Sequence, residues 1–241
     1  MILAVDSKPE KKSRSRDGLF LGAIVVAGGL IACLRIFVFQ PFSIPSSSMT
    51  PTLVVGDYVL VSKVSYGYGP YSLPLATAGL SRRVPANWLP QRGDVVVFRG
   101  AGKTPVDFIK RVVGVPGDRI QMTKNVLSIN GVAVLRERIG DEAIEGSSQR
   151  ATRYRETLAN GVSFMTLSLG DSGPLANTQQ FSVPPGHYFV LGDNRDNSVD
   201  SRMLDQVGYV PAEALIGRAE IIGFSTGDHG MRWDRLLRAV R

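Results

Sequence analysis

The segment Val106-Asp-Phe-Ile-Lys-Arg-Val-Val-Gly-Val115 is rich in β-branched residues and has the alternating pattern of a β-strand. Similar runs recur after residue 40, separated by Gly, Pro and Asn-Gly turns. Asn-Gly pairs at 130–131 and 160–161 each join two runs, which is typical of two-residue hairpin loops. We predict strands at Asp57–Ser65, Asp94–Arg99, Phe108–Val115, Val126–Ile129, Val132–Leu135, Arg153–Leu158, Val162–Leu169, His187–Leu191 and Arg218–Phe224. The predicted fold class is therefore all-β, with mostly antiparallel sheets.

The predicted strands divide into a core and an insertion. We expect residues 40–116 and 188–225 to form the main β-domain, and residues 117–187, which carry both Asn-Gly hairpins, to form a smaller inserted β-subdomain. The proline-rich segment 66–92 is predicted to be a loop or an extended hairpin, and the polar segment 137–152 is predicted to be a loop.

Residues 19–39 form an apolar run broken only by Arg35, which as a helix would span about 31 Å, the thickness of a bilayer core. The preceding tail, residues 1–18, has an excess of lysine and arginine, and positive flanks stay in the cytoplasm. We therefore predict a single-pass anchor whose N-terminus is cytoplasmic. A cleaved signal peptide is one alternative, although its apolar run is usually shorter. A lipoprotein box at Leu30-Ile-Ala-Cys33 is the other, although apolar residues follow it here.

The net charge of +7 is concentrated at the two ends of the 241-residue chain. Residues 1–17 and 228–241 hold +2 each, which leaves +3 on the 210 residues between them. No basic stripe marks that main body, so a bilayer is the expected anionic partner and nucleic acid is not. The tail 226–241 is predicted to be a basic amphipathic helix that lies on a bilayer or packs on its own domain. Its apolar stripe comprises Trp233, Leu236, Leu237 and Val240.

The sequence offers few groups for metal or nucleophile chemistry. A single cysteine excludes an internal disulfide and a cysteine-based zinc cluster, and we expect neither a metal nor a cofactor. The two histidines, His187 and His229, lack the context of a catalytic triad. Lys110 is another candidate base, because Phe108 and Val112 share its strand face and desolvation lowers a lysine pKa. Taken alone, a strand lysine is more often solvent-facing.

Four sequence boxes follow the apolar run. They are Pro45-Ser-Ser-Ser-Met-Thr-Pro-Thr-Leu53 with Gly56-Asp57, Arg92-Gly-Asp-Val-Val-Val-Phe98, Phe108-Ile-Lys-Arg111 with Gly114-Val-Pro-Gly-Asp118, and Gly192-Asp-Asn-Arg-Asp-Asn-Ser-Val-Asp-Ser-Arg202. Their order and spacing, together with the preceding anchor, resemble those of bacterial type I signal peptidases over about residues 19–224. The resemblance implies a membrane-bound serine endopeptidase, without a cofactor, that removes N-terminal signal peptides from exported preproteins after Ala-x-Ala sites.

The resemblance also implies roles for individual residues. Ser48 corresponds to the nucleophile and Lys110 to the general base. Ser46 corresponds to the side chain that forms the oxyanion hole with the Ser48 N–H, and Ser198 to the serine that orients the lysine. Structural ion pairs are implied for Asp200 with Arg202 and for Arg111 with Asp193. The walls of shallow apolar pockets for small side chains are implied at Phe42, Ile44, Leu53, Phe108 and Ile109.

The implied partners are signal peptides and the lipid bilayer, and we expect a monomer in the bacterial cytoplasmic membrane with its catalytic domain on the outer side.

Two departures from the family pattern are Ser47, where Gly is frequent, and a longer loop at 203–206. A self-cleaving repressor with a Ser/Lys core is a rival class, but it would need an N-terminal DNA-binding domain. A non-catalytic peptide-binding domain is another, but it should lack the serine or the lysine.

A calcium site is an alternative for the last box, although the spacing of the acidic residues departs from the twelve-residue calcium loop. Its ligands would be Asp193, Asp196 and Asp200.

Overall fold

A computed structural model describes residues 13–72, 88–101, 106–143 and 150–241. The first element is a helix, α1 (Ser13–Cys33), which continues as a π-helical turn at Leu34–Val38. Within the described residues, Gly18–Val38 is the one helical segment long and apolar enough to cross a membrane, with a mean hydropathy of 2.4. Its apolar residues lie outside the protein core, as expected of a lipid-facing helix.

In the rest of the described chain the regular elements are strands and short 3₁₀ turns, which confirms the predicted all-β class. In chain order the strands are β1 (Phe39–Ser43), β2 (Asp57–Ser62), β3 (Val95–Arg99), β4 (Asp107–Gly114), β5 (Arg119–Thr123), β6 (Val126–Ile129), β7 (Val132–Ala133), β8 (Leu135–Ala143), β9 (Arg150–Thr157), β10 (Ser163–Ser168), β11 (Phe181–Ser182), β12 (His187–Leu191), β13 (Val210–Pro211), β14 (Leu215–Gly227), β15 (Gly230–Met231) and β16 (Arg238–Ala239).

The largest sheet carries the strands that surround the serine loop. Its order is β1-β2-β14-β3-β4-β12-β13, and β15 and β16 also pair with β14. The long strand β14 pairs with β2 along one edge, where two irregularities in register bend it, and with β3 and β16 along the other. All pairings between these strands are antiparallel.

The inserted region forms two smaller antiparallel sheets, ordered β10-β9-β8 and β11-β5-β6-β7. Their apolar faces do not close a separate core. Ile120 and Leu127 of the insertion pack in one cluster with Val113 and Phe189 of the large sheet. The insertion is therefore held to the large sheet by a common buried interior.

The predicted loop at 137–152 is wrong for most of its length, because β8 extends to Ala143 and β9 begins at Arg150. The two strands lie mostly at the surface, where apolar alternation is not required. Cross-strand ion pairs join their side chains instead, as between Arg155 and Glu137. Residues 144–149, and residues 73–87 of the other predicted loop, lie outside the described residues.

The predicted amphipathic helix in the C-terminal tail is also wrong. The tail forms a 3₁₀ turn at Trp233–Arg235 and then strand β16, which pairs with β14. The turn places the guanidinium of Arg235 against the fully buried carboxylate of Asp57, at 2.9 and 2.5 Å. An isolated helix of this length is marginal in water, so a buried ion pair and strand pairing determine the conformation.

Candidate active site

Ser48 lies in a 3₁₀ turn, Ser47–Met49, that follows β1. The side chains of Met49 and Leu53 are fully buried in the core and fix this turn from below. The loop after β12 fixes it from the side: the Asn194 N–H donates to Ser48 O at 3.1 Å, and Asn194 Nδ2 donates to Ser47 O at 3.2 Å. The turn thereby holds Ser48 Oγ, whose residue is 8% exposed, at the margin of a cleft.

Lys110 lies on β4 and directs its amine at Ser48. Its Nζ donates hydrogen bonds to Ser48 Oγ at 2.7 Å and to Ile109 O at 2.9 Å, and the residue is 3% exposed. The ring of Phe108 lies beside the amine, with 5.9 Å between Nζ and the ring centroid. Burial lowers the pKa of Lys110 to about 8, and the negative charges of Asp200 and Asp193 only partly oppose this.

Ser46 Oγ is the third polar group in a row that begins with Lys110 Nζ and Ser48 Oγ. Its hydroxyl lies 3.3 Å from Ser48 Oγ. Because Ser48 lies in the first turn of a 3₁₀ segment, its backbone N–H has no acceptor within that turn. The Ser46 hydroxyl and the Ser48 N–H are thus two donors close to Ser48 Oγ, and the oxyanion-hole role implied for them stays a prediction.

Two buried ion pairs hold the strands and loop around this row. Arg111 on β4 donates to both carboxylate oxygens of Asp193, at 2.8 and 2.7 Å. Arg202 donates to both oxygens of Asp200, each at 2.8 Å. One oxygen of Asp200 also accepts from the Gly192 N–H at 3.0 Å. The Arg111–Asp193 pair thus fixes the start of the loop Gly192–Arg202 against β4, and Asp200 ties the end of the loop to its start.

Gly192 is required at its position because the loop passes very close to the serine turn. A Cβ at residue 192 would lie 2.6 Å from Ser48 O and 2.2 Å from Ser198 Oγ, closer than side chains tolerate. Only glycine allows the loop to reach both groups.

Ser198 lies beside Lys110 at the cleft, but the hydrogen bond implied for it is not formed. Within the described residues its buried hydroxyl has no hydrogen-bond partner, because Lys110 donates to Ser48 and to the Ile109 carbonyl instead. Rotation of the Ser198 side chain is a local change, so the orienting role stays a prediction.

The cleft beside Ser48 has a volume of about 510 Å³ and is open to solvent. Of the five predicted pocket residues, Phe108 lines it. Ile44 and Leu53 are buried in the core, and Phe42 and Ile109 pack against that same core. These four residues therefore form the support beneath and beside the serine turn and do not line the cleft as observed.

Several contacts that hold the site were missed from the sequence. Arg195 in the last box makes a fully buried, two-bond ion pair with Glu156 on β9, at 2.8 and 2.6 Å. Asn197 Nδ2 donates to Ser47 Oγ at 2.9 Å. The charge of Arg195 is visible in the sequence, but its partner is 39 residues away and carries no motif.

The acidic residues of the last box have partners other than a metal ion. Asp193 and Asp200 are paired with arginines, as above, and Asp196 accepts from the Asn125 side chain and from the Leu169 N–H. In the part of the chain that is described, no group of three or more His, Cys, Asp or Glu residues is arranged to hold a metal ion.

The site sets a serine hydroxyl against a buried amine at an open cleft of an antiparallel β-fold, a combination that fits the class of hydrolases. The chain belongs to the signal peptidase family, peptidase S26, whose family model matches residues 19–224. It is a peptidase of that family.

Curated relatives agree with this assignment. Signal peptidase I of Rickettsia typhi (strain Wilmington) is 39% identical over 233 residues, covering 92% of this chain and 84% of the relative. Signal peptidase I of Rickettsia conorii is 37% identical over 232 residues, covering 91% of this chain and 83% of the relative. Among solved structures, a signal peptidase I from Enterococcus faecalis V583 matches at 25% identity and a TM-score of 0.31, covering 54% of this chain and 96% of that chain.

Proposed function

We propose that this peptidase removes N-terminal signal peptides from exported preproteins after Ala-x-Ala-type sites, with Ser48 as nucleophile and Lys110 as general base. The contact of 2.7 Å between Lys110 Nζ and Ser48 Oγ carries the proposal, because a buried amine touching a serine hydroxyl can accept its proton. Neither histidine enters these contacts. The His187 ring bonds the Pro185 carbonyl at the surface.

The reaction runs through an acyl-enzyme. Neutral Lys110 takes the Ser48 proton as Oγ bonds to the carbonyl carbon of the substrate, and the Ser48 N–H and Ser46 hydroxyl stabilise the resulting oxyanion. The Lys110 ammonium then gives its proton to the leaving amine as the peptide C–N bond breaks. A water molecule, deprotonated by Lys110, attacks the ester, and the proton returns to Ser48 when the carboxylate product leaves.

The edge of β4 suggests how the substrate is held. β4 pairs with β3 over Asp107–Arg111, but β12 joins its other edge only from Arg111 onward. Residues Asp107 to Lys110 therefore present an edge beside Ser48 to which an extended peptide can add as a strand.

The placement in the membrane is inferred from the N-terminal part of the chain. We infer a single-pass protein of the bacterial cytoplasmic membrane, acting as a monomer, with residues 1–18 in the cytoplasm and the β-domain outside. The excess of lysine and arginine before the apolar run supports this orientation, and the length of Gly18–Val38 supports a single crossing.

The test is cleavage of a preprotein with one Ala-x-Ala site by the wild-type protein, Ser48→Ala and Lys110→Ala, each in the full chain. We expect cleavage at that site by the wild type and loss of activity by at least about a thousandfold in both variants. Thr226→Ala, a change in β14 away from the cleft, is the control. Retained cleavage in either active-site variant would remove the Ser48–Lys110 assignment.

A further inference from the structure

Three consecutive carbonyl oxygens at the end of the apolar helix accept hydrogen bonds from one short segment of the β-domain. The Lys63 N–H donates to Val38 O at 2.9 Å, and Lys63 Nζ donates to Ile36 O at 3.1 Å. The Tyr68 hydroxyl donates to Phe37 O at 2.6 Å. Carbonyls in the last turn of a helix have no partner within the helix, so this segment supplies them.

Of the two donor residues, Lys63 is held firmly by the large sheet. Lys63 directly follows β2, which pairs with β1 and β14, and its side chain is almost completely buried. Burial lowers the pKa of Lys63, and the nearby charge of Arg35 lowers it further, so this amine is retained at an energetic cost. A buried donor with a fixed backbone gives the helix end one direction relative to the sheet.

The helix end leads without a linker into β1, and β1 leads to the serine turn. The five residues Phe39–Ser43 span at most about 17 Å at ~3.3 Å per residue, and Ser48 lies five positions further on. The path from the end of the apolar helix to the nucleophile therefore consists of one strand, whose start is hydrogen-bonded to Lys63 and Tyr68, and the short segment that follows it.

We propose that Lys63 and Tyr68 are positioning residues that fix the height of Ser48 above the bilayer and so select which peptide bond of a membrane-held substrate is cut. The proposal rests on the proposed function. A substrate held by its own apolar segment reaches Ser48 only if the chain between that segment and the cleaved bond matches the height. For an extended peptide the match is about five residues. With a rigid tether the cleavage rate depends steeply on the length of the spacer, whereas a flexible tether broadens the range of spacers that are cleaved.

The experiment uses the full-length protein in phospholipid vesicles. Its substrates are preproteins that differ only in the spacer, about three to nine residues, between the apolar segment and one Ala-x-Ala site. The variants are Tyr68→Phe and the double variant Lys63→Met with Tyr68→Phe, which remove donors and keep side-chain size. Tyr58→Phe, whose ring stacks on Phe224, is the matched control. Products are identified by mass spectrometry, and a detergent-soluble Ala-x-Ala peptide is cleaved in parallel.

We expect wild type and Tyr58→Phe to cleave the best spacer at least about tenfold faster than spacers two residues longer or shorter. The double variant should reduce this ratio below about threefold, with Tyr68→Phe intermediate, while cleavage of the soluble peptide changes less than about twofold. An unchanged ratio in both variants, or a wild type without spacer preference, would overturn the proposal. If the double variant no longer cleaves the soluble peptide, its site is damaged in general, and the spacer preference of Tyr68→Phe alone then decides whether the proposal holds. Failure of the wild type to cleave any substrate would instead refute the proposed function.

Discussion

Peptide cleavage should rise steeply between pH 6 and pH 9, because only the neutral amine of Lys110 accepts the Ser48 proton. Since burial lowers the pKa of Lys110 to about 8, about 1% of molecules carry a neutral amine at pH 6, about 9% at pH 7 and about 90% at pH 9. An exposed lysine with a pKa of 10.5 would be neutral in only about 0.03% of molecules at pH 7. Burial therefore raises the active fraction at neutral pH about 300-fold.

The assay is kcat/KM for a soluble Ala-x-Ala peptide from pH 6 to pH 10 at constant ionic strength, since this ratio reports ionisation of the free enzyme. We expect about a tenfold rise per pH unit below pH 7, a smaller rise between pH 7 and pH 9, and a plateau above pH 9. Ser48→Ala gives the background, and circular dichroism at each pH checks that the fold persists. A rate that is flat from pH 6 to pH 9, or a rise centred near 10.5, would refute a buried lysine base.

Three further changes test the site and its support. Gly192→Ala should lower kcat/KM about 100-fold, because the new Cβ displaces the Ser48 carbonyl; an unchanged peptide-cleavage rate would contradict this close approach. Lys110→Met should abolish cleavage yet raise the free energy of unfolding at pH 7 by up to about 3 kcal/mol. The depressed pKa makes the charged amine a cost that is complete below pH 8 and disappears above 10.5. Equal urea midpoints for this variant and the wild type at pH 7 would argue against that cost. Asp57→Asn should cost about 3–5 kcal/mol by leaving Arg235 without its buried partner, measured by thermal unfolding, and a loss below 1 kcal/mol would show that the pair is dispensable.

Much of the architecture could be predicted because the buried strands carry their pattern locally. The strands at Val126–Ile129 and His187–Leu191 were predicted with their observed bounds, since both are short, mostly apolar runs bounded by turn residues. The surface strand β8 was missed, since its exposed residues need no apolar alternation and ion pairs from β9 stabilise it.

The prediction of a helix in the C-terminal tail was wrong for a different reason. A helical spacing of Trp233, Leu236 and Leu237 is only a local preference, and the buried carboxylate of Asp57, 178 residues away, overrides it by pairing with Arg235. No pattern within the tail announces that partner.

The candidate site was predicted residue by residue only through its resemblance to a family. The sequence placed Lys110 on a strand with apolar neighbours, but it could not show that the amine reaches Ser48, 62 residues away. The contacts of Asn194 and Asn197 with the serine turn depend on a loop whose path is set by buried ion pairs. Such contacts form only when the loop is packed, so no local sequence pattern predicts them.

The separation in sequence of the groups around Lys110 has a consequence for biosynthesis. The ion pair that holds the loop against β4 joins residues 82 positions apart, so the dry surroundings of the amine exist only after most of the β-domain has assembled. A nascent or partly folded chain carries an ordinary protonated lysine and therefore an unactivated serine. Under the proposed mechanism, folding of the β-domain is therefore itself the step that activates Ser48.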